Sequence, residues 1–421
     1  WGEYPVWHPP LKNQALIEKN LKWVKQTHEM GKKLLINGGW NISAQMPEWP
    51  IWGRELVAEP MQNVSFDVAK QFAACYKTPY AAFLANSFGS NARLLGFDGI
   101  RFDTVVPTYE CNSLVHDLPA AWGAAQAGLP APWQAGCGWQ DDDGNLWPTF
   151  SVFQQREIWK RLYRIFHGGV ITNGCIQTPN AAGPLMAVHS FSDHHEIGEG
   201  YYMHAKTLKD GMPPDMLRAN MTAEQYGFRA EVNIKGGPMY WNEKIAAVLV
   251  NGAEPRFQDH RHWKVGYEPQ AAPAISIWNA WDWVDRWNAQ WLGWWENKEF
   301  LNVECRMPNG QKPEVYASLW LQKGKNHPSQ GDFAPKVLLV VANYESEPLD
   351  DVDVKLNLAK CEFKGKVYAE DAVTLEPIAI TPDGAMKLDV LQQRYRLIKI
   401  SNEPPRFRDD ALGPNIFTNA P

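Results

Sequence analysis

Residues 11–29 place Ile17, Leu21, Val24 and His28 on one line at helical spacing, and Gly31 closes the pattern ahead of Leu34, Leu35 and Ile36. This predicts a helix, a tight turn and a buried strand. A second helical segment over 80–95 leads into a short strand over 97–103, flanked by Gly96 and Pro107. Ser151 and Gln154 form a capping-box pair heading a third helix, with Trp159, Leu162, Tyr163 and Phe166 inward. Gly168 and Gly169 stop that helix before the apolar run Val170, Ile171, Thr172. Further strands are expected at 186–192, 230–234 and 274–278, with helices starting near Pro214 and Asn242.

Strands alternating with helices of this length predict an α/β fold of the (β/α)8-type, TIM-like barrel kind, here with about six strands inside the chain. No G-x-G-x-x-G follows any strand, which argues against a dinucleotide-binding sheet. Beyond Phe300 the pattern switches to strict alternation at 315–321, 336–342, 352–358 and 395–400, with turns at Asn309-Gly310 and Asp383-Gly384. The expected division is a barrel domain over 1–299, an antiparallel β-sandwich over 300–403 and an extended tail over 404–421. The chain opens at Trp1 without Met or an apolar leader, so we expect a processed form or fragment, in a periplasmic or secreted setting.

A net charge of −6 disfavours a nucleic-acid groove, and no apolar run is long enough to span a membrane. The six cysteines include no C-x-x-C pair, so a zinc ribbon is not expected from spacing. The unusual count is 21 tryptophans, and flat indoles are the usual platform for sugar rings.

Functional groups of such barrels sit at the carboxyl ends of strands. In G-I-R-F-D-T, Arg101 and Asp103 are two apart and share a strand face, and a neighbouring guanidinium keeps a carboxylate ionised, as a nucleophile requires. A buried structural ion pair is the alternative. In S-F-S-D-H-H-E-I-G-E-G, Asp193, Glu196 and Glu199 compete for the acid role, and Asp193 is preferred because it comes first after the apolar run. His194 and His195 are expected to donate to sugar hydroxyls, since no H-E-x-x-H occurs; a metal hydrolase built on them is the weaker reading, and no cofactor is called for. Asn37 and Trp40 follow the first strand, Trp139 lies in a long roofing loop over 105–148, and Trp278 and Asp282 follow the last strand. These are candidate sugar contacts. Cys111 and Cys137 are candidates for a bridge bracing the loop, and Asp141 to Gly144 reads as a tight Asp-Gly turn rather than a calcium loop. The stripe of Trp283, Trp287, Trp291 and Trp294 at helical spacing reads as packing between the barrel and the β-domain.

Taken together, G-F-D-G-I-R-F-D-T, E-C-N, G-C-G-W-Q-D-D-D-G-N-L-W-P-T, Q-R-E-I-W-K-R-L-Y and S-F-S-D-H-H-E-I-G-E-G-Y resemble a family of large bacterial glycoside-hydrolase-like proteins set near glycoside hydrolase family 123. The resemblance implies a barrel and a carbohydrate substrate. Family 123 uses an adjacent Asp-Glu pair, which this sequence lacks. The site layout is similar to that of the α-galactosidase and α-glucosidase clan, which implies Asp103 as nucleophile and Asp193 as acid/base of a retaining glycosidase. A non-catalytic glycan-binding barrel is the alternative from a different class.

Overall fold

The computed structural model describes residues 14–39, 41–44, 46, 49–61, 71–103, 110–113, 116, 137–168, 175–178, 191–197, 206–221, 229–234, 241–257, 271–324 and 334–405. Two compact units divide the chain, the first holding residues 1–197 and 224–229, the second 198–223 and 230–421.

In the first unit, α1 (Gln14–Glu29) leads to β1 (Leu35–Gly39), the short β2 (Ile42–Ser43), α2 (Trp49–Leu56) and β3 (Gln71–Phe72). Then come α3 (Tyr80–Leu95), β4 (Gly99–Asp103), β5 (Glu110–Cys111), β6 (Trp139–Gln140), β7 (Leu146–Trp147) and β8 (Thr149–Phe150). The unit closes with α4 (Val152–His167), β9 (Cys175–Thr178) and β10 (His194–Ile197). Strands β1, β4, β9 and β10 run parallel in that order. Ile36, Ile100 and Ile176, one from each of three neighbouring strands, are buried with Leu84, Phe88, Leu162 and Phe166 of α3 and α4. Alternation then turns Asn37 and Arg101 to the opposite face. Gly38 is required where it is, because a Cβ there would lie 2.4 Å from the Phe88 ring.

The helix over 80–95 has the expected limits, and Gly96, at φ 79°, ends it by donating its N–H to Ala92 O. In α4, Trp159, Leu162 and Phe166 are buried, but Tyr163 is exposed, turned one position off the inward line. Ser151 precedes α4 without making the expected side-chain cap. The apolar run at 170–172 lies outside the described residues, and the next described strand is β9 at Cys175–Thr178. Most of the strand expected at 186–192 lies outside the described residues, which resume at Phe191; Phe191 and Ser192 belong to no strand, and β10 starts at His194.

The second unit contains α5 (Leu208–Gly211), α6 (Pro214–Met221), β11 (Arg229–Ile234), α7 (Trp241–Val250), β12 (Glu254–Phe257) and α8 (Ala271–Val284), with β11 and β12 parallel. Antiparallel strands follow: β13 (Gln290–Leu292), β14 (Leu301–Glu304), β15 (Val315–Gln322), β16 (Lys336–Asn343), β17 (Leu349–Leu356), β18 (Tyr368–Asp371), β19 (Pro377–Ile378), β20 (Ala385–Val390) and β21 (Tyr395–Ser401). They form a six-stranded sheet ordered β13-β15-β16-β21-β18-β19 and a three-stranded sheet ordered β14-β17-β20. Leu319, Leu339 and Ile398 from the first and Val354, Leu356 and Leu388 from the second share one core.

The strand expected at 274–278 is instead the middle of α8. Among its described side chains the buried ones are Ile277, Ala280, Trp281 and Val284, the i, i+3, i+4, i+7 spacing of a helix face. The tryptophan stripe is correspondingly broken: Trp283 is on the helix, Trp287 in the turn after it and Trp291 on β13. Of the four, Trp291 packs inside this unit, its ring 4.3 Å from that of Trp320, while Trp287 is exposed; Trp281, outside the stripe, is buried with its ring 6.1 Å from Trp320.

Candidate functional site

The parallel strands of the first unit carry a row of level residues. Asn37 pairs in register with Arg101, Arg101 with Gln177, and Gln177 with His194. Arg101 Nη1 donates to Asn37 Oδ1 at 3.0 Å, and Arg101 is buried while Asn37 is exposed. Asp103 lies two residues beyond Arg101 and ends β4 opposite Gly39, at the carboxyl edge of the strands. Glu196 stands two residues beyond His194 on β10. The side chains of Asp103, Trp139, His195 and Glu196, and all of Trp40 and Glu199, lie outside what is described.

Asp193 is at the other edge. It directly precedes β10, and its backbone N–H donates to Ile176 O at 2.9 Å. Its carboxylate accepts from the Ile176 N–H at 2.6 Å and contacts His167 Nε2 at 2.9 Å. The same arrangement occurs at Asp98, which directly precedes β4. Its N–H donates to Leu34 O at 3.0 Å, and its carboxylate accepts from the Leu34 N–H and meets His28 Nε2, both at 2.8 Å. In each case an acid at the entry of one strand holds the N–H at the start of its parallel neighbour and a histidine at the end of a preceding helix. Parallel strand starts leave such N–H groups without ladder partners, and a carboxylate is the strongest acceptor for them. Asp193 therefore does not follow a strand's carboxyl end, as the expected strand at 186–192 required; its strand begins after it. The sequence signal that reveals this is the pairing of Asp98-Gly99 and Asp193-His194, each with a helix-terminal histidine upstream.

Trp278 and Asp282 are both exposed on α8, one turn apart, rather than at a strand end. In the loop after β5, Asp141 accepts from the backbone of Asp143 (3.1 Å) and Asn145 (2.7 Å) and from Trp147 Nε1 (2.8 Å). These bonds, the one from Trp147 foremost, hold its carboxyl below the usual range and pin the β6–β7 hairpin as a tight Asp-Gly turn.

Cys111 and Cys137 are free thiols, and Cys75 and His116 lie beside them. The four ligand atoms all fall within 4.8 Å of one another. Cys75 Sγ is 3.2 Å from Cys137 Sγ, and Cys111 Sγ is 3.4 Å from His116 Nδ1. Donation from Cys137 and Cys75 drives the Cys111 thiol down, while donating to Cys111 drives Cys75 up to about 12 and Cys137 upward as well. Sequence reasoning considered these cysteines only as a disulfide pair. Their segments are far apart in the chain, and the fold brings them together.

No family model matches the chain, and no curated protein matches it. Among solved structures it is similar to a family 27 β-L-arabinopyranosidase from Geobacillus stearothermophilus, at 11% identity and TM-score 0.51, over 90% of this chain and 76% of that one. A variant of that enzyme in complex with arabinose gives 10% identity and TM-score 0.51, over 91% and 77% of the two chains. An α-L-fucosidase from Paenibacillus thiaminolyticus superposes at TM-score 0.48 with 12% identity, over 90% and 89%. At these identities the likeness to the arabinopyranosidase is one of fold.

Proposed function

We propose that the protein is a retaining glycoside hydrolase in which Asp103 is the nucleophile and Glu196, rather than Asp193, is the acid/base. The observation that carries this reading is the level row Arg101, Gln177, His194, with one carboxylate residue two positions beyond it on β4 and another two positions beyond it on β10. Residues two apart in a strand share a face, so Asp103 is assigned to the face of Arg101 and Glu196 to that of His194. One strand separates them, so their backbones stand about two strand spacings of roughly 4.8 Å apart, and retention requires the two carboxyl groups to close to about 5–5.5 Å. The fold shared with an enzyme described as an arabinopyranosidase supports the reading. In it, the parallel strands belong to a (β/α)8-type barrel and the antiparallel sheets to a β-sandwich.

Arg101 holds the charge state of Asp103 and is itself oriented by Asn37. Asp103 attacks the anomeric carbon while Glu196 protonates the leaving oxygen, and Glu196 then activates the water that releases the sugar. His194, His195 and Glu199 remain assigned to sugar hydroxyls on the β10 side, and Trp40 and Trp139 to ring stacking. Trp278 and Asp282 lose their assignment, since it rested on a strand that is a helix.

The experiment is turnover of a panel of aryl glycosides by the full chain and by Asp103→Asn and Glu196→Gln. Both variants should lose roughly 1,000-fold or more in kcat, and the product should keep its anomeric configuration by NMR. Unchanged kcat in both variants removes the assignment. Glycan binding without turnover of any substrate makes the protein a carbohydrate-binding module instead.

A further inference from the structure

We propose that Cys75, Cys111, His116 and Cys137 hold one zinc ion in a closed, structural site that fastens the segment after β4 to the segment before α3. Three sulfurs and one imidazole nitrogen are the soft donor set of four-coordinate structural zinc. With Zn–S near 2.3 Å and Zn–N near 2.0 Å, the corners of a tetrahedron lie about 3.5–3.8 Å apart. The observed separations of 3.2 Å and 3.4 Å, with every pair inside 4.8 Å, describe a cage of that size.

Burial decides between a structural and a catalytic ion. Cys75, Cys111, His116 and Cys137 are 0, 2, 6 and 1% exposed, so no face of the cage opens to a water or substrate, as a catalytic zinc requires. The surrounding backbone is built to converge on the sulfurs. Ala58 N donates to Ala73 O at 2.8 Å and Cys75 N to Leu56 O at 2.9 Å, which ties the end of α2 to the segment between β3 and α3 that carries Cys75. Asn112 N donates to Glu59 O at 2.8 Å and Cys137 N to Ser113 O at 2.6 Å, bringing in the other two segments. The Glu59 N–H points at Cys111 Sγ at 3.3 Å, the second-shell bond that a thiolate ligand accepts. Gly138 allows the closest approach, since a Cβ there would sit 2.6 Å from Asn112 O.

Among the described residues the apolar cluster around the cage consists of the three cysteines with Ala58 and Ala73, little surface for holding three chain segments by burial. Metal ligation supplies the missing free energy. On binding, three Zn–S bonds and one Zn–N bond replace the six bonds of the aqueous ion to water, all six waters are released, and three thiol protons pass to solvent. No electrons are transferred, and the site carries a net charge of −1.

Elemental analysis of the purified full chain, prepared without chelators, should find about one zinc per chain. Exchange with cobalt(II) should give the intense visible bands of a tetrahedral thiolate site. Cys111→Ser and His116→Ala should lose the metal, and Cys361→Ser, buried in the antiparallel unit, should keep it. Because the ligand variants can fail to fold, the wild-type measurements decide. A folded wild-type chain with no stoichiometric metal and no cobalt bands overturns the proposal, as does a Cys75–Cys137 disulfide found by peptide mapping after preparation under reducing conditions.

Discussion

Replacing Asp193 with Ala separates a strand clamp from a catalytic acid. The Asp193 carboxylate is the acceptor for the N–H of Ile176, a residue with 0% exposure, and it pairs with a partly exposed His167. Removing the acceptor leaves a buried N–H unsatisfied, at a cost of about 1–3 kcal/mol, and the half-exposed His167 contact adds at most about 1 kcal/mol. The expected loss is therefore about 1–4 kcal/mol, with each kcal/mol a fall of roughly 2–4 °C in Tm for a unit of this size. Asp98→Ala removes the same pair of contacts, to Leu34 N–H and His28, and should cost a similar amount. Asp193→Asn keeps one acceptor oxygen and should cost about half as much. The assays are urea unfolding followed by circular dichroism, and kcat on any aryl glycoside the protein turns over. The clamp reading requires all three variants to lose stability and to retain kcat within about threefold at a temperature where they are folded. If Asp193→Asn keeps wild-type stability but loses roughly 1,000-fold in kcat while Asp98→Ala is fully active, Asp193 is the acid and the clamp argument fails.

Gly38→Ala drives a methyl into the Phe88 ring and should cost about 1–3 kcal/mol; Gly38→Ala combined with Phe88→Leu should recover most of this in thermal unfolding. Lys244 in α7 is fully buried, and burial brings its ammonium down to about 8 from 10.5, against a smaller opposing pull from Glu243. Between those two pH values the unfolded chain binds more protons than the folded one, so stability rises with pH through that window. Lys244→Met should abolish that slope and stabilise the protein by up to about 3 kcal/mol at pH 7, read from urea midpoints at a series of pH values.

Much of the local structure was legible because burial and periodicity agreed. The helices at 80–95 and 152–167 carry apolar residues at a single clear period, and their tertiary surroundings impose the same one; β15 and β16, expected to alternate, are instead buried continuously from Ala317 and Val337 onward. The segment around Trp278 was misread because A-I-S-I-W, taken alone, is as apolar as a buried strand; the helix period shows only when Ala280, Trp281 and Val284 are counted with Ile277. Asp193 was misplaced by one such error: a strand expected to end at Ser192 puts Asp193 at a carboxyl edge, and a strand beginning at His194 puts it at the amino edge. The level row across β1, β4, β9 and β10 depends on register between strands distant in sequence, which no local pattern encodes. The Cys and His cage was invisible for the same reason. Its four donors come from three separate segments, with only Cys111 and His116 close in the chain.

The central claim is that Asp103 forms a covalent bond to a sugar, and the most direct measurement is trapping with an activated 2-fluoro glycoside or a cyclophellitol-type reagent, read by intact mass and peptide mapping. The account predicts one glycosyl adduct per chain, carried by Asp103, formed more slowly in Glu196→Gln and absent in Asp103→Asn. An adduct mapped to any other carboxylate, or full labelling of Asp103→Asn, contradicts it.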